Sequence, residues 1–310
     1  MPTFSLIFSL ILSLCLTSTV VDAKRGLINA LFNPPTPIIN GTYKALVIGN
    51  NDYQDPEQLW KPLKTAVNDA KSIASTLENY GFEVTLLTNG NRRTILKAFN
   101  HLIKKQAKAN DSILIYYAGH GYLDEQTKEG YWIPVDAEGR DDSSFIRNST
   151  IKAKLAVLAE TSRHVMLISD SCFSGDLLRN SNRGVSLDEK NQQYIHKVAK
   201  KRSVQVLAAG GLEFVDDNYK SSGHSPFTYF LLNELQDNNL AYLTATELSS
   251  AVKRTVGDNV SQTPEHGVLF GAGHEGGELI FASLVEHDPQ PTANKTGQLT
   301  ILQPIRVAHY

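Results

Sequence analysis

Two short runs in this chain hold side chains capable of covalent chemistry. One is Ser169-Asp170-Ser171-Cys172-Phe173-Ser174-Gly175; the other is Ala118-Gly119-His120-Gly121. Each follows a short, apolar, β-rich stretch, Val165–Ser169 and Ser112–Ala118, so each reads as a strand end entering a turn. A cysteine and a histidine on neighbouring strand ends form the pair needed for thiolate attack on an acyl carbon. The imidazole takes the thiol proton and later returns it to the leaving amine. Glycines on both sides of His120 predict an imidazole open to an incoming ligand. Most free cysteines are merely small buried hydrophobes. Cys172 with His120 in the matching place reads instead as a nucleophile.

The remaining candidates are weaker. Asp170 lies two residues before Cys172, where a carboxylate can also simply cap a turn. Glu213, Asp216 and Asp217 form an acidic cluster, the kind that is more often a solvated loop than a substrate contact. The other histidines lack partners at metal-ligand spacing, so no metal centre is expected. With only Cys15 and Cys172 present, a disulfide scaffold and a cysteine-based zinc site are excluded.

The elements that must position these residues follow an alternating rhythm. Tyr43–Gly49, Phe82–Thr88, Ser112–Ala118, Val165–Ser169 and Ser203–Ala209 read as strands, with a last one at Glu278–Phe281. Helical apolar spacing occupies Leu63–Tyr80, Asn91–Ala109, Ile151–Thr161, Pro226–Leu235 and Thr244–Val256. Such alternation predicts an α/β fold: a mostly parallel sheet with helices on both faces. Residues 176–202 break the rhythm. They hold Arg179, Arg183, Lys190, Lys197, Lys200, Lys201 and Arg202 among few apolar anchors, and read as an exposed linker.

A chain of 310 residues, 41% hydrophobic, can build a sizeable core, and wholesale disorder is ruled out. Thirty basic residues against 32 acidic ones give a net charge of −2, which offers no field for nucleic acid or an anionic membrane. The uncharged stretch before Val21, ending in Val21-Asp22-Ala23, reads as a signal peptide over residues 1–23. A secreted or periplasmic location follows. The rival is an uncleaved membrane anchor through residues 4–21. Residues 24–41, with Asn33-Pro34-Pro35-Thr36-Pro37, read as a linker, and 286–310 as a loosely ordered tail.

The run from Tyr116 to Gly121, followed by Tyr131-Trp132-Ile133-Pro134-Val135-Asp136, resembles the caspase-like peptidases, and more narrowly the metacaspase and bacterial orthocaspase branch. Asp170-Ser171-Cys172-Phe173-Ser174-Gly175 is similar to that branch's nucleophile motif. Leu46–Asn50 with Tyr53, Asn68-Asp69-Ala70, Ser225-Pro226-Phe227-Thr228 and Gln262-Thr263-Pro264 agree with it. The resemblance implies a caspase-hemoglobinase fold with a six-stranded sheet over residues 42–285. The large-subunit part would be 42–175, the linker 176–202 and the small-subunit part 203–285. It implies His120 as general acid/base, Cys172 as nucleophile and an oxyanion hole from the N–H groups of Gly121 and Cys172. Asp170, with Glu213 and Asp217, would line the substrate pocket. It further implies protein or peptide substrates cut after Arg or Lys, self-processing in the linker, and Ca2+ as an optional cofactor. The competing readings are a silent caspase-fold interaction module and a caspase-fold transpeptidase or ligase.

Overall fold

The computed structural model describes residues 41–171, 177–178, 192–210, 218–238 and 240–282. The proposed signal peptide, most of the first linker and the C-terminal tail lie outside them. Five strands form the parallel body of a six-stranded sheet: β1 (Tyr43–Gly49), β2 (Phe82–Thr88), β3 (Ser112–Ala118), β7 (His164–Asp170) and β8 (Ser203–Ala208). Their order across the sheet is β8-β7-β3-β1-β2, and the sixth strand, β10 (Glu265–Val268), lies antiparallel on the outer edge of β8.

Alternate residues of these strands feed two separate cores, which is why the strands read as continuous apolar runs. Ala45, Val47, Leu114, Tyr116, Met166 and Ile168 pack on one face against helices α1 (Ala66–Asn79), α5 (Pro226–Gln236) and α6 (Ala245–Asn259). On the other face Leu46, Ile48, Ile113, Ile115, Val165 and Leu167 meet α2 (Arg92–His101) and α3 (Asn148–Thr161). A small sheet of β4 (Gly121–Leu123), β5 (Gly130–Trp132) and β6 (Ile146–Arg147) leaves the C-terminal end of β3. It holds Trp132 stacked on Tyr117, with centroids 4.1 Å apart.

Two expectations change. The closing strand, observed as β11 (Ile280–Ala282), pairs with β9 (Tyr242–Thr244) in a separate two-stranded sheet, so β10 and not this segment completes the large sheet. Within 176–202 the described residues are not all exposed. Leu177 and Leu178 are buried, and Gln192–Ala199 forms helix α4, with Ile195, Val198 and Ala199 packed on Ile280. That i, i+3, i+4 spacing makes one apolar face amid the surrounding basic residues. Among the described residues no helix is long and apolar enough to cross a membrane.

Candidate active site

The carboxyl ends of β1, β3 and β7 lie side by side, in register from Gly49 to Ala118 to Asp170. Ligands in parallel sheets bind beyond such ends. His120 follows β3 directly, and every polar group on its backbone is held. Its N–H donates to the Tyr53 hydroxyl at 2.8 Å, and its carbonyl accepts from the Tyr117 hydroxyl at 2.9 Å and from the Ile133 N–H at 3.0 Å. Gly119 makes this arrangement possible, because a Cβ there would stand 2.7 Å from the Tyr53 hydroxyl and 2.8 Å from that of Tyr117. The glycine therefore makes room for the two tyrosines that hold the histidine. His120 itself is only 8% exposed, contrary to the open imidazole expected from its flanking glycines.

The ring is oriented from the other side. Its Nε2 lies 2.7 Å from the carbonyl oxygen of Lys61, with Tyr53 and Trp60 at ring-centroid distances of 4.6 and 5.8 Å. A carbonyl can only accept, so Nε2 carries a proton, and in the neutral form of the ring the lone pair is on Nδ1. That is the tautomer a general base needs. Neither Lys61 nor Trp60 carried a signal in the sequence, since the working group is a backbone carbonyl.

Asp55 fixes the loop that presents this carbonyl. It accepts from the N–H groups of Glu57, Leu59, Trp60 and Gly139 at 2.7 to 3.1 Å. The Trp60 indole donates to the Gly139 carbonyl at 2.7 Å, closing the same loop pair. Burial acts to raise the Asp55 pKa, but the four backbone donors outweigh it and hold it below the ordinary carboxylate value. Asp55→Asn is expected to lower kcat by roughly tenfold to a hundredfold through a misplaced imidazole, with KM changed less than about twofold. Steady-state kinetics on one peptide checks that split.

Beside the His120 strand end lie two carboxylates. Asp170 ends β7, and its carboxylate accepts from the hydroxyls of Ser225 at 2.5 Å and Thr228 at 2.7 Å. Ser225 is the N-cap of α5, accepting from the Thr228 N–H at 2.9 Å, with Pro226 in the first turn. Its own N–H faces a second carboxylate, that of Asp69 in the first turn of α1, at 3.3 Å. One serine thus touches both acids. Asp69 is almost fully buried and also lies 2.6 Å from Nδ1 of His224. Burial raises its pKa, with the hydrogen bond and charge of His224 opposing. Tyr116, under both, is driven well above the usual phenol value by burial and by the two carboxylates, and stays neutral.

Sequence reading quoted Asp69 and Ser225–Thr228 only as matches to the resemblance and assigned them no role. One signal was available for Asp69: it is an acid on the buried stripe of Ala66, Ala70, Ile73 and Leu77. The structure brings His120, Gly121 and Asp170 to one sheet end, with Gly121 opening β4 opposite Trp132. Cys172, Glu213, Asp216 and Asp217 lie outside the described residues. Among the described residues no group of three or more His, Cys, Asp or Glu side chains could hold a metal ion.

Comparison with known proteins decides the family. A family model described as "Caspase domain" matches residues 42–268. The chain belongs to the caspase domain family. Curated relatives include Metacaspase-1A of Aspergillus oryzae, 31% identical over 157 residues, covering 44% of this chain and 36% of that protein. Metacaspase-1 of Botryotinia fuckeliana is 32% identical with the same coverage. This caspase domain chain therefore spans about a third of the length of the curated relatives it matches. Among solved structures, the Drosophila initiator caspase Dronc superposes with TM-score 0.53 at 15% identity, covering 78% of this chain and 83% of that one. Caspase-1 from Spodoptera frugiperda gives 0.53 at 13%, covering 81% and 96%. At those identities the two structures speak for the fold, which is a caspase fold.

Proposed function

We propose that this caspase domain is a cysteine endopeptidase that cleaves after arginine or lysine. The observation that carries the reading is the pair of carboxylates, Asp69 and Asp170, meeting at Ser225 beside the His120 strand end. A carboxylate pair in a part-buried pocket selects a cation and rejects an acidic side chain. The thiol of Cys172 passes its proton to Nδ1 of His120 as sulfur attacks the scissile carbonyl carbon. The oxyanion is met by the N–H groups of Gly121 and Cys172, each donor worth about 3 kcal/mol of transition-state stabilisation. His120 then protonates the departing amine, leaving an acyl-enzyme that water hydrolyses.

Fluorogenic peptides differing only in the residue before the cut bond, with and without calcium, test this. Arg and Lys peptides should be hydrolysed and Asp peptides should not; equal cutting of Asp peptides overturns the pocket. A silent interaction module would cut none of them, and a ligase would yield aminolysis product when an amine is added.

The same specificity supports self-processing within residues 176–202, and contacts at the end of that segment bear on where. Lys200, Lys201 and Arg202 sit pinned between α4 and β8. The Lys200 carbonyl accepts from the Arg163 guanidinium, and the Arg202 carbonyl accepts from the N–H groups of Glu275 at 2.9 Å and Gly277 at 3.2 Å. A protease must draw its substrate out extended, which such contacts resist. Arg179, Arg183 and Lys190 are therefore the expected cut sites. Purified wild type should separate into two fragments while Cys172→Ala stays whole. N-terminal sequencing of the smaller fragment should find a start between about residues 180 and 191, and a start after 200 would overturn this placement.

A further inference from the structure

The proposed pocket contains a side chain that no step above uses. His224 stands between the turn before α5 and the first turn of α1. Its Nδ1 lies 2.6 Å from Oδ1 of Asp69 and 3.5 Å from the Asn68 side-chain amide, which donates to the Gly223 carbonyl at 2.8 Å. The imidazole is largely enclosed, with its side chain 17% exposed and that of Asp69 1% exposed. Around it, among the described residues, stand Asp69 on α1, Asp170 at the end of β7 reached through Ser225, neutral Tyr116 in β3, and Lys220 on the neighbouring turn.

We infer that His224 sets the pocket's affinity for a basic side chain, because it already occupies the position at Asp69 that an incoming cation needs. A neutral imidazole donates one hydrogen bond to Asp69 and leaves both carboxylate charges to the substrate. A protonated imidazole cancels one of them at 2.6 Å and competes directly for Asp69. Charging the imidazole therefore takes one unit from the pocket's negative charge at the Asp69 contact, and acid favours the charged form of an imidazole. Binding of a cationic side chain should weaken accordingly, and that of a neutral one should not.

This inference rests on the proposed basic-residue specificity, and the test separates the two. KM and kcat are measured from pH 5.5 to 8 on a peptide with arginine before the cut bond and on its norleucine counterpart. The variants are wild type and His224→Gln, which donates to Asp69 and carries no charge. For wild type, KM for the arginine peptide should rise roughly fivefold to tenfold on acidification, as expected for losing one of two nearby charges. The norleucine peptide and His224→Gln should each show less than about a twofold change in KM. The pH dependence of kcat should be the same in both proteins. If wild type shows no preference for arginine over norleucine, the specificity reading falls. If the preference holds but the rise in KM persists in His224→Gln, the inference about His224 falls. His224→Asn serves the same comparison should His224→Gln fail to give folded protein by circular dichroism.

Discussion

Replacing Cys172 or His120 by alanine is expected to lower kcat on an arginine peptide by about a thousandfold or more, because each removes a participant in bond breaking. Any loss of stability has a separate cause. The His120 ring is buried between Tyr53 and Trp60, so His120→Ala opens a gap worth about 1–3 kcal/mol. A loss of that size lowers the melting temperature by several degrees and leaves the chain folded at 25 °C. Thermal melts beside the kinetics separate the two effects. His120→Ala should also slow alkylation of Cys172, since a thiol without its imidazole partner is less ionised. Full activity in Cys172→Ala would remove the nucleophile assignment, and with it the proposed reaction.

How far the sequence carried the structure depended on how each element is stabilised. Four of the five parallel strands were legible because burial on both faces demands unbroken apolar runs such as Ser112–Ala118, where all seven residues are buried, whereas the edge strand β2, with only Phe82 buried, was legible from its β-rich composition. The strand β10 was not, since Glu265-His266-Gly267-Val268 has one neighbour, a glycine and only Gly267 buried. Helix α4 was masked by its basic flanks, and its apolar face becomes meaningful only once Ile280 lies opposite.

The site divides along a similar line. His120 and Asp170 stand out in the sequence because they occupy strand ends, a place that sequence marks. Asp69 and His224 are 155 residues apart, and a hydrogen bond of that span leaves no local pattern in either segment. The Lys61 carbonyl is still further from view. Any residue supplies a carbonyl, so the group that sets the tautomer of His120 is independent of side-chain identity at its own position. What does encode it is Asp55, through the loop that it ties together, and an aspartate followed by proline reads from sequence only as a turn.

Neutralising the acidic pocket should separate specificity from stability most clearly. Asp69 and Asp170 are both drawn toward Ser225, above a neutral phenol, in a part-buried space where like charges raise one another's energy. On the proposed specificity such a pair serves binding and opposes folding. Asp170→Asn keeps an oxygen able to accept from Ser225 and Thr228 while removing the charge. It should leave the melting temperature unchanged or raise it. On arginine and lysine peptides it should cost roughly tenfold to a hundredfold in kcat/KM, the worth of one charge-assisted hydrogen bond of about 1.5–3 kcal/mol. Asp69→Asn should cost a similar factor in rate and bring less relief in stability, because Asp69 also holds His224. Since both acids share Ser225, the double variant should fall short of the product of the two single losses. The neutral norleucine peptide, which gains nothing from either charge, should be cut by all four proteins within about threefold of one another. An Asp170→Asn protein that retains wild-type kcat/KM on arginine peptides would show that the basic side chain binds elsewhere.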